Sequence, residues 1–411
     1  MKKKTVRAGI AGSGFAAAFH FEALSRVYSV DVEVAGVYSP TRENRERFAA
    51  RRSIPCFGSL EELIDACDVL HVCTPPSTHE PITVAALERD VSALVEKPFT
   101  GWFGEGGGKG GGHGGTGRGD RAGDAGAFKG NTAPKEPFLQ GALDSTRRML
   151  EAEKASRGRI LYAENWVYAP AIQKEREIIE KTGAQVLWMH GEEAHSGSHS
   201  PVYGIWRYAG GGSLIGKGCH PLTAALYLKR VEGRARGGEP IRPRAVSART
   251  AELTRLEGFV DAGHLRTDYD DVEDFAMIHV VFEDGTLADV FASEIVLGGV
   301  HNWIEVCANN HRTVCNINPN TVMQTYNPLE ESFNDIYVVE KIETKQGWSN
   351  PAPDEGLLTG YPAEMEAFYR AAAFDEPLES DGSLAADTIS AVYSGYLSAE
   401  RGGAELVVTL L

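Results

Sequence analysis

Val6-Arg-Ala-Gly-Ile-Ala-Gly12-Ser13-Gly14-Phe15-Ala16-Ala17 is an apolar strand that enters a glycine turn, and from Ala18 to Val27 apolar residues recur at helical spacing. The pattern is G-x-G-x-x-A between a strand and a helix. In that setting backbone N–H groups and the positive helix end hold a dinucleotide pyrophosphate. Gly12 and Gly14 make the turn, Phe15 and Ala16 open the helix, and Ala17 at the third small position lets helix and strand approach closely. A glycine turn alone is common, so the fold rests equally on two motifs further along the chain. Asp68-Val-Leu-His-Val-Cys-Thr-Pro-Pro-Ser-Thr-His79 predicts a strand running into a Pro-Pro turn. A helix from Ile82 to Arg89 then leads to a second apolar strand, which ends at Glu96-Lys97-Pro98.

Strands are predicted at Val6–Ile10, Val32–Tyr38, Val69–Cys73, Ser92–Val95 and Ile160–Ala163, alternating with helices, which implies a doubly wound parallel sheet of the Rossmann kind over residues 1–164. From Gln185 strand follows strand. Glu283-Asp284-Gly285 and Asn309-Asn310 separate alternating runs, which is hairpin chemistry. Residues 165–411 therefore read as an α+β domain with a mostly antiparallel open sheet, one face on helices and the other free to pair with a second subunit. Helices at Ala363–Phe374 and Ser383–Glu400 would cover the junction.

The 411 residues carry 41 basic and 57 acidic side chains, a net charge of −16, which argues against a nucleic-acid partner. No apolar run approaches a membrane span, and Lys2-Lys3-Lys4 is too short for a targeting signal, so a soluble cytoplasmic protein is expected. Six cysteines lie far apart without a C-x-x-C pair and read as buried thiols, with no metal site. Between Gly101 and about Pro137 the composition collapses into glycine, which predicts a mobile loop leaving the sheet directly after Lys97. A lid or an intersubunit arm is the other reading of this insertion.

Five segments together resemble the Gfo/Idh/MocA-like NAD(P)-dependent oxidoreductases, the family of glucose-fructose oxidoreductase and myo-inositol 2-dehydrogenase. They are the GIAGSGFAAAFH opening, CTPPSTHEP, EKP, YAENWVY read as a strand before Ala169-Pro170, and GGGSLIGKGCH ending at His220. The resemblance implies that Thr74, Pro75, Pro76 and His79 form the turn beneath the nicotinamide ribose, with Glu96 and Asn165 also lining the cofactor. It implies that Lys97 polarises the substrate oxygen or relays its proton. A lysine suits this work because burial beside a cationic ring lowers its pKa. His220 matches the family's histidine, but the usual Asp-x-x-x-His is here Gly216-Lys217-Gly218-Cys219-His220, so the carboxylate is missing.

After the second strand, Ser39 stands where an NAD-selective enzyme usually carries a carboxylate, and Arg42 could pair with a 2′-phosphate, so NADP is the alternative to NAD. Around the missing acid stand His195, His199, Tyr203, Trp206, Arg207 and Lys217, with Trp166 and Tyr168 from the preceding segment. Aromatic faces suit sugar rings and cations suit an acid group. The expectation is therefore an NAD(P)-dependent oxidoreductase acting on a carbohydrate, an acidic sugar or its glycoside, as a homo-oligomer (dimer or tetramer) joined through the C-terminal sheet. The alternatives are a redox-neutral NAD-dependent glycosidase and a cofactor-binding regulator without turnover.

Overall fold

The computed structural model describes residues 3–104, 128–198, 200–317 and 323–411. Strands β1 (Thr5–Ala11), β2 (Asp31–Tyr38), β3 (Val69–Val72), β4 (Ser92–Glu96) and β5 (Ile160–Ala163) form a wholly parallel sheet in the order β2-β1-β3-β4-β5. Val69, Leu70, Ala93, Leu94, Val95, Ile160 and Leu161 are fully buried, as expected when helices cover both faces of a parallel sheet. The crossovers include the helices Phe15–Leu24, Arg42–Arg52, Leu60–Asp65, His79–Leu87 and Glu136–Ala155. Leu60–Asp65 is started by a reciprocal cap in which Ser59 accepts from the Glu62 N–H at 3.2 Å and Glu62 accepts from the Ser59 N–H at 3.3 Å. Because the strands are parallel, the turns after β1, β3, β4 and β5 open on one rim of the sheet.

The second sheet contains β6 (Val186–Ala194), β7 (Pro243–Ala251), β8 (Phe275–Phe282), β9 (Leu287–Ser293), β10 (His301–Ala308) and β11 (Arg312–Asn316). β12 (Thr325–Asn327) and β13 (Gly347–Ser349) make a separate ribbon, and β14 (Leu406–Val407) completes the second sheet in the order β11-β10-β6-β9-β8-β7-β14. All its pairs are antiparallel except β6 with β9. The two expected hairpins are present, with Gly285 at φ +81° in the turn between β8 and β9. The helix Cys219–Gly237 packs on β6. Tyr361–Phe374 returns to the first sheet and lies on Phe15–Leu24 and β1, while Gly382–Glu400 packs on both β7 and Glu136–Ala155, so the chain's end ties the two sheets together.

The structure departs from several expectations. YAENWVY is a strand only to Ala163; Glu164 then caps a helical turn, Asn165–Tyr168, by accepting from the Trp166 N–H at 3.3 Å. Ala169 precedes a proline that begins the helix Pro170–Thr182, and its extended backbone ends that turn. The helix expected from Ile82 begins at His79, behind a short turn at Pro76–Thr78. Cys56 is exposed and Cys307 half-buried, so only Cys67, Cys73, Cys219 and Cys315 fit the reading as buried thiols.

The central part of the glycine-rich insertion, 105–127, lies outside the described residues. Its two described flanks are packed rather than loose: the Trp102 N–H donates to Tyr393 Oη at 2.7 Å, Trp206 Nε1 donates to the Trp102 carbonyl at 3.0 Å, and the Gly130 N–H donates to Asp271 at 2.7 Å. Among the described residues no helix is long and apolar enough to cross a membrane.

Asp387 is fully buried between Arg230 (Nη2 at 2.5 Å) and Arg242 (Nε at 3.1 Å), where the last long helix meets the second domain. Asp387→Ala should therefore destabilise the protein by about 3–5 kcal/mol, because a buried cation, Arg230, and a half-buried one, Arg242, lose their partner. The urea midpoint of the variant measures this, and a shift of less than about 1 kcal/mol would show the ion group to be replaceable.

Candidate active site

The glycine turn comes first in the chain. Gly12 has φ +120°, and a Cβ there would lie 2.1 Å from the Cys73 carbonyl oxygen, so only glycine fits between β1 and β3. Gly14 caps the helix Phe15–Leu24, and a Cβ there would meet nothing within 4 Å, leaving its side open for a ligand. Ala16 is half-buried and Phe15 is exposed, its ring 4.6 Å from that of Phe19. Ser39 is buried and hydrogen-bonds Ser13 at 3.0 Å, while Arg42 is exposed and paired with Glu46 at 2.7 Å. A cavity beside the turn is lined by Ser13, Gly14, Asn44, Arg47, Arg51 and Arg52. The sequence reading did not single out Arg47, Arg51 and Arg52; their spacing along one helical face was the available signal.

In the turn after β3, Thr78 donates to Thr74 Oγ1 at 2.8 Å, and the chain runs through Pro75 and Pro76. His79 is fully buried, with Nδ1 3.0 Å from the Pro98 carbonyl and Nε2 2.9 Å from the Thr74 carbonyl. It thereby staples the turns after β3 and β4 to each other. Asn165 donates to the Thr359 carbonyl at 2.7 Å.

Lys97 leaves β4 on the same rim and donates from Nζ to the Gly216 carbonyl at 2.9 Å. Burial pulls its pKa down, but Cys219, Tyr203, Glu193 and Glu96 around it more than offset that, and the net shift is upward. The neighbouring carboxylates Glu193 and Glu96 thus favour the charged ammonium. Glu96 accepts the Lys97 backbone N–H at 3.0 Å and faces His20 Nε2 at 2.8 Å. Burial raises the Glu96 pKa, but the hydrogen bond from His20, with the charge of Lys97, brings it below its ordinary value.

The acid absent from position 216 is supplied from elsewhere. His220 Nδ1 lies 2.5 Å from Glu164 Oε1, and its Nε2 lies 3.7 Å from Glu193 Oε2. Both carboxylates are buried, and each has one oxygen, Oε2, without a hydrogen-bond partner. Trp166 stacks on the imidazole at 5.9 Å with the planes 15° apart, so it backs His220 rather than a substrate ring. Burial raises the Glu193 pKa, with His220 and Lys97 opposing. Glu164, Cys219 and His220 place ligand atoms within 4.8 Å of one another, a set that could hold a metal ion, although the Lys97 ammonium at the same site disfavours a further cation. At Gly216 itself a Cβ would touch only Tyr203, at 3.9 Å.

The expected substrate residues disperse. Lys217 is buried and ion-paired with Glu294, which also accepts from Tyr269 at 2.8 Å, so it is not available to a substrate anion. Trp206 is core, packed between Phe138 and Tyr396. Tyr168 is buried on Phe368, and its hydroxyl accepts the Ser380 N–H at 3.2 Å. His195 Nδ1 accepts the Gly197 N–H at 3.1 Å, and Arg207 is half-buried on the turn Trp206–Ala209. His199 lies outside the described residues. Tyr203, half-buried beside Gly216 and Lys97, is the aromatic side chain that remains at the site.

Residues 6–105 match the model of an oxidoreductase family with an NAD-binding Rossmann fold, Gfo/Idh/MocA. The matched residues lie within the parallel-sheet part of the chain. It is 32% identical over 95 residues to the UDP-N-acetylglucosamine 3-dehydrogenase of Acidithiobacillus ferrooxidans, covering 23% of this chain and 29% of that one. It is 36% identical over 90 residues to the glucose-6-phosphate 3-dehydrogenase of Bacillus subtilis, covering 22% and 25%. The match thus spans less than a third of these curated relatives. Over whole chains the structure is similar to GenD2 from gentamicin A biosynthesis in complex with NAD (TM-score 0.76, 20% identity, 100% and 98% covered). It is also similar to a scyllo-inositol dehydrogenase from Lactobacillus casei (TM-score 0.69, 10% identity, 99% and 99% covered). At these identities the likeness is one of fold.

Gly12→Ala should cost at least about 2 kcal/mol of stability and abolish dinucleotide binding, since the methyl group would overlap the Cys73 carbonyl. Calorimetric titration with NAD alongside a thermal melt checks both effects. Unchanged affinity would show that the turn is not the phosphate site.

Proposed function

We propose that this protein is an NAD(P)-dependent oxidoreductase that oxidises a carbohydrate hydroxyl at the rim where Lys97, His220, Glu164 and Glu193 converge. The observation that carries the reading is the His220–Glu164 contact at 2.5 Å, which restores the carboxylate-supported histidine that residues 216–220 do not supply by themselves. The phosphate turn at Gly12 and Gly14 and the Thr74–Pro76 turn would hold the cofactor, with Ser39 toward its ribose. A nicotinamide dinucleotide held there would supply the hydride acceptor. The charged Lys97 ammonium donates to the substrate oxygen, and His220 takes the hydroxyl proton at Nε2 while Glu164 stabilises the imidazolium through Nδ1. Residues 1–164 form the cofactor unit in this reading and 165–411 the substrate and assembly unit.

With Lys217 held by Glu294, an acidic sugar has less support among the described residues, and buried carboxylates at the reacting centre favour hydroxyl donors there. One observation favours redox-neutral glycoside cleavage as a second reading. Glu193 has an unpartnered oxygen 3.7 Å from His220 and a raised pKa, which suits a base for a carbon-bound proton. A regulator without turnover would have no use for this constellation. Trp188, Phe291 and Val314 are exposed on the face of the second sheet away from the helices, which supports a homo-oligomer through that face. A cytoplasmic location fits the use of a nicotinamide dinucleotide.

Lys97→Ala should lower turnover on the order of 100-fold or more with cofactor affinity nearly intact, and Glu164→Gln about tenfold, in stopped-flow measurements of NADH formation. Wild-type turnover in either variant would remove that residue from the mechanism. A sugar and glycoside panel in deuterated water separates the two reactions. Stoichiometric NADH with the glycosidic bond intact is expected; aglycone release exceeding the cofactor, with deuterium beside the anomeric carbon, would establish cleavage.

A further inference from the structure

Three buried side chains that the mechanism does not use line up behind Glu96. His20 Nε2 is 2.8 Å from Glu96 Oε1, His20 Nδ1 is 2.9 Å from His71 Nδ1, and His71 Nε2 is 2.8 Å from the Tyr369 hydroxyl. His20, His71 and Tyr369 are all completely buried. They come from three elements: the helix after the phosphate turn, the middle of β3, and the closing helix Tyr361–Phe374.

The donors can be assigned from chemistry. An ionised carboxylate only accepts, so His20 Nε2 carries a hydrogen. In the arrangement that gives each contact one hydrogen, His20 Nδ1 accepts from His71 Nδ1, and His71 Nε2 accepts from the Tyr369 phenol. The three contacts then share a single polarity running from Tyr369 to Glu96, and the Cys73 thiol, 3.4 Å from His20 Nδ1, is a second donor to that nitrogen. Delivery of a proton along this line would leave a buried tyrosinate, and burial pushes the Tyr369 phenol well above its ordinary value. The line is therefore static. Its far end matters because the other oxygen of Glu96 accepts the Lys97 backbone N–H at 3.0 Å.

We propose that Tyr369, His71 and His20 form a hydrogen-bonded clamp that keeps Glu96 ionised and fixed, and through it places Lys97 for hydride chemistry. They are positioning residues, and their effect on turnover rests on the role proposed for Lys97 at the substrate oxygen. The clamp also gives the closing helix, which lies far from Lys97 in sequence, a direct line to the site.

The other titratable groups around Glu96 are Lys97 and His79 beside β4, Cys73 after β3, Tyr162 on β5, Glu364 and Tyr361 from the closing helix, and Tyr203 and Cys219 from the second domain. Burial keeps Cys73, Cys219, Glu364 and the tyrosines protonated, so His20 and Lys97 are the groups that hold Glu96 ionised. If His20 is lost, the burial that remains raises the Glu96 pKa, so Glu96 takes up a proton at higher pH and the acid limb of the kcat profile moves upward.

The test uses the full chain with saturating NAD and compares kcat and KM across pH for wild type, Tyr369→Phe, His20→Phe and Lys97→Ala. Tyr369→Phe preserves the core volume and is the variant to rely on if His20→Phe fails to fold. A kcat about tenfold lower with KM within about threefold, and an acid limb displaced to higher pH, is the expected result. An unchanged profile in Tyr369→Phe while Lys97→Ala is inactive would overturn the clamp. Should Lys97→Ala turn over normally, the lysine reading falls, and histidine 15N NMR then judges the clamp alone. Protonated His20 Nε2, with both imidazoles shifted in Tyr369→Phe, supports it; unprotonated Nε2 refutes it.

Discussion

An ammonium group largely removed from water requires negative charge close to it, and Lys97 imposes that requirement on the rim of the first sheet. Glu96 comes from its own strand, Glu164 from the end of β5 and Glu193 from β6 of the second sheet. Each of these carboxylates needs a partner in turn, which accounts for His20 beside Glu96 and for His220 between the other two. The functional site is thus one buried charge-matched cluster. Its members lie on separate elements that must dock before any of them is satisfied.

This dependence explains how His220 has a carboxylate partner without an acid at position 216. A carboxylate one helical turn before His220 would reach the imidazole from the same helix. Glu164 reaches it instead from the preceding strand end, and Trp166, on the helical turn that Glu164 caps, covers the ring face. A local motif has been replaced by a contact between elements, with the same chemical consequence for the histidine. Gly216 keeps its value through its backbone, as the carbonyl that receives the Lys97 ammonium.

The same matching of charges removes other candidates from the site. Lys217 points into a buried network with Glu294, Ser198 and Tyr269, and Trp206 into the aromatic core between the two domains. Being adjacent in sequence to a site residue did not make either a ligand residue, since successive positions on a helical segment face different directions.

The strands of the first sheet, the succession of strands and two hairpins of the second, the glycine turn at Gly12 and the place of Lys97 are legible in the order of amino acids alone, whereas the edge strand β14 is not. Those features arise from local rules: the period of apolar residues, the conformational freedom of glycine and the breaking of strands by proline. Folding in three dimensions was needed to bring Glu164 and Glu193 to His220, to neutralise Lys217 with Glu294, and to connect Tyr369 to Glu96 through two histidines. The alternation along β6 marks Glu193 as facing opposite to Glu192, and nothing local says which face meets His220. That choice is made when two sheets and the closing helix bury their apolar faces together, because only then do polar groups far apart in sequence lose water and have to satisfy one another.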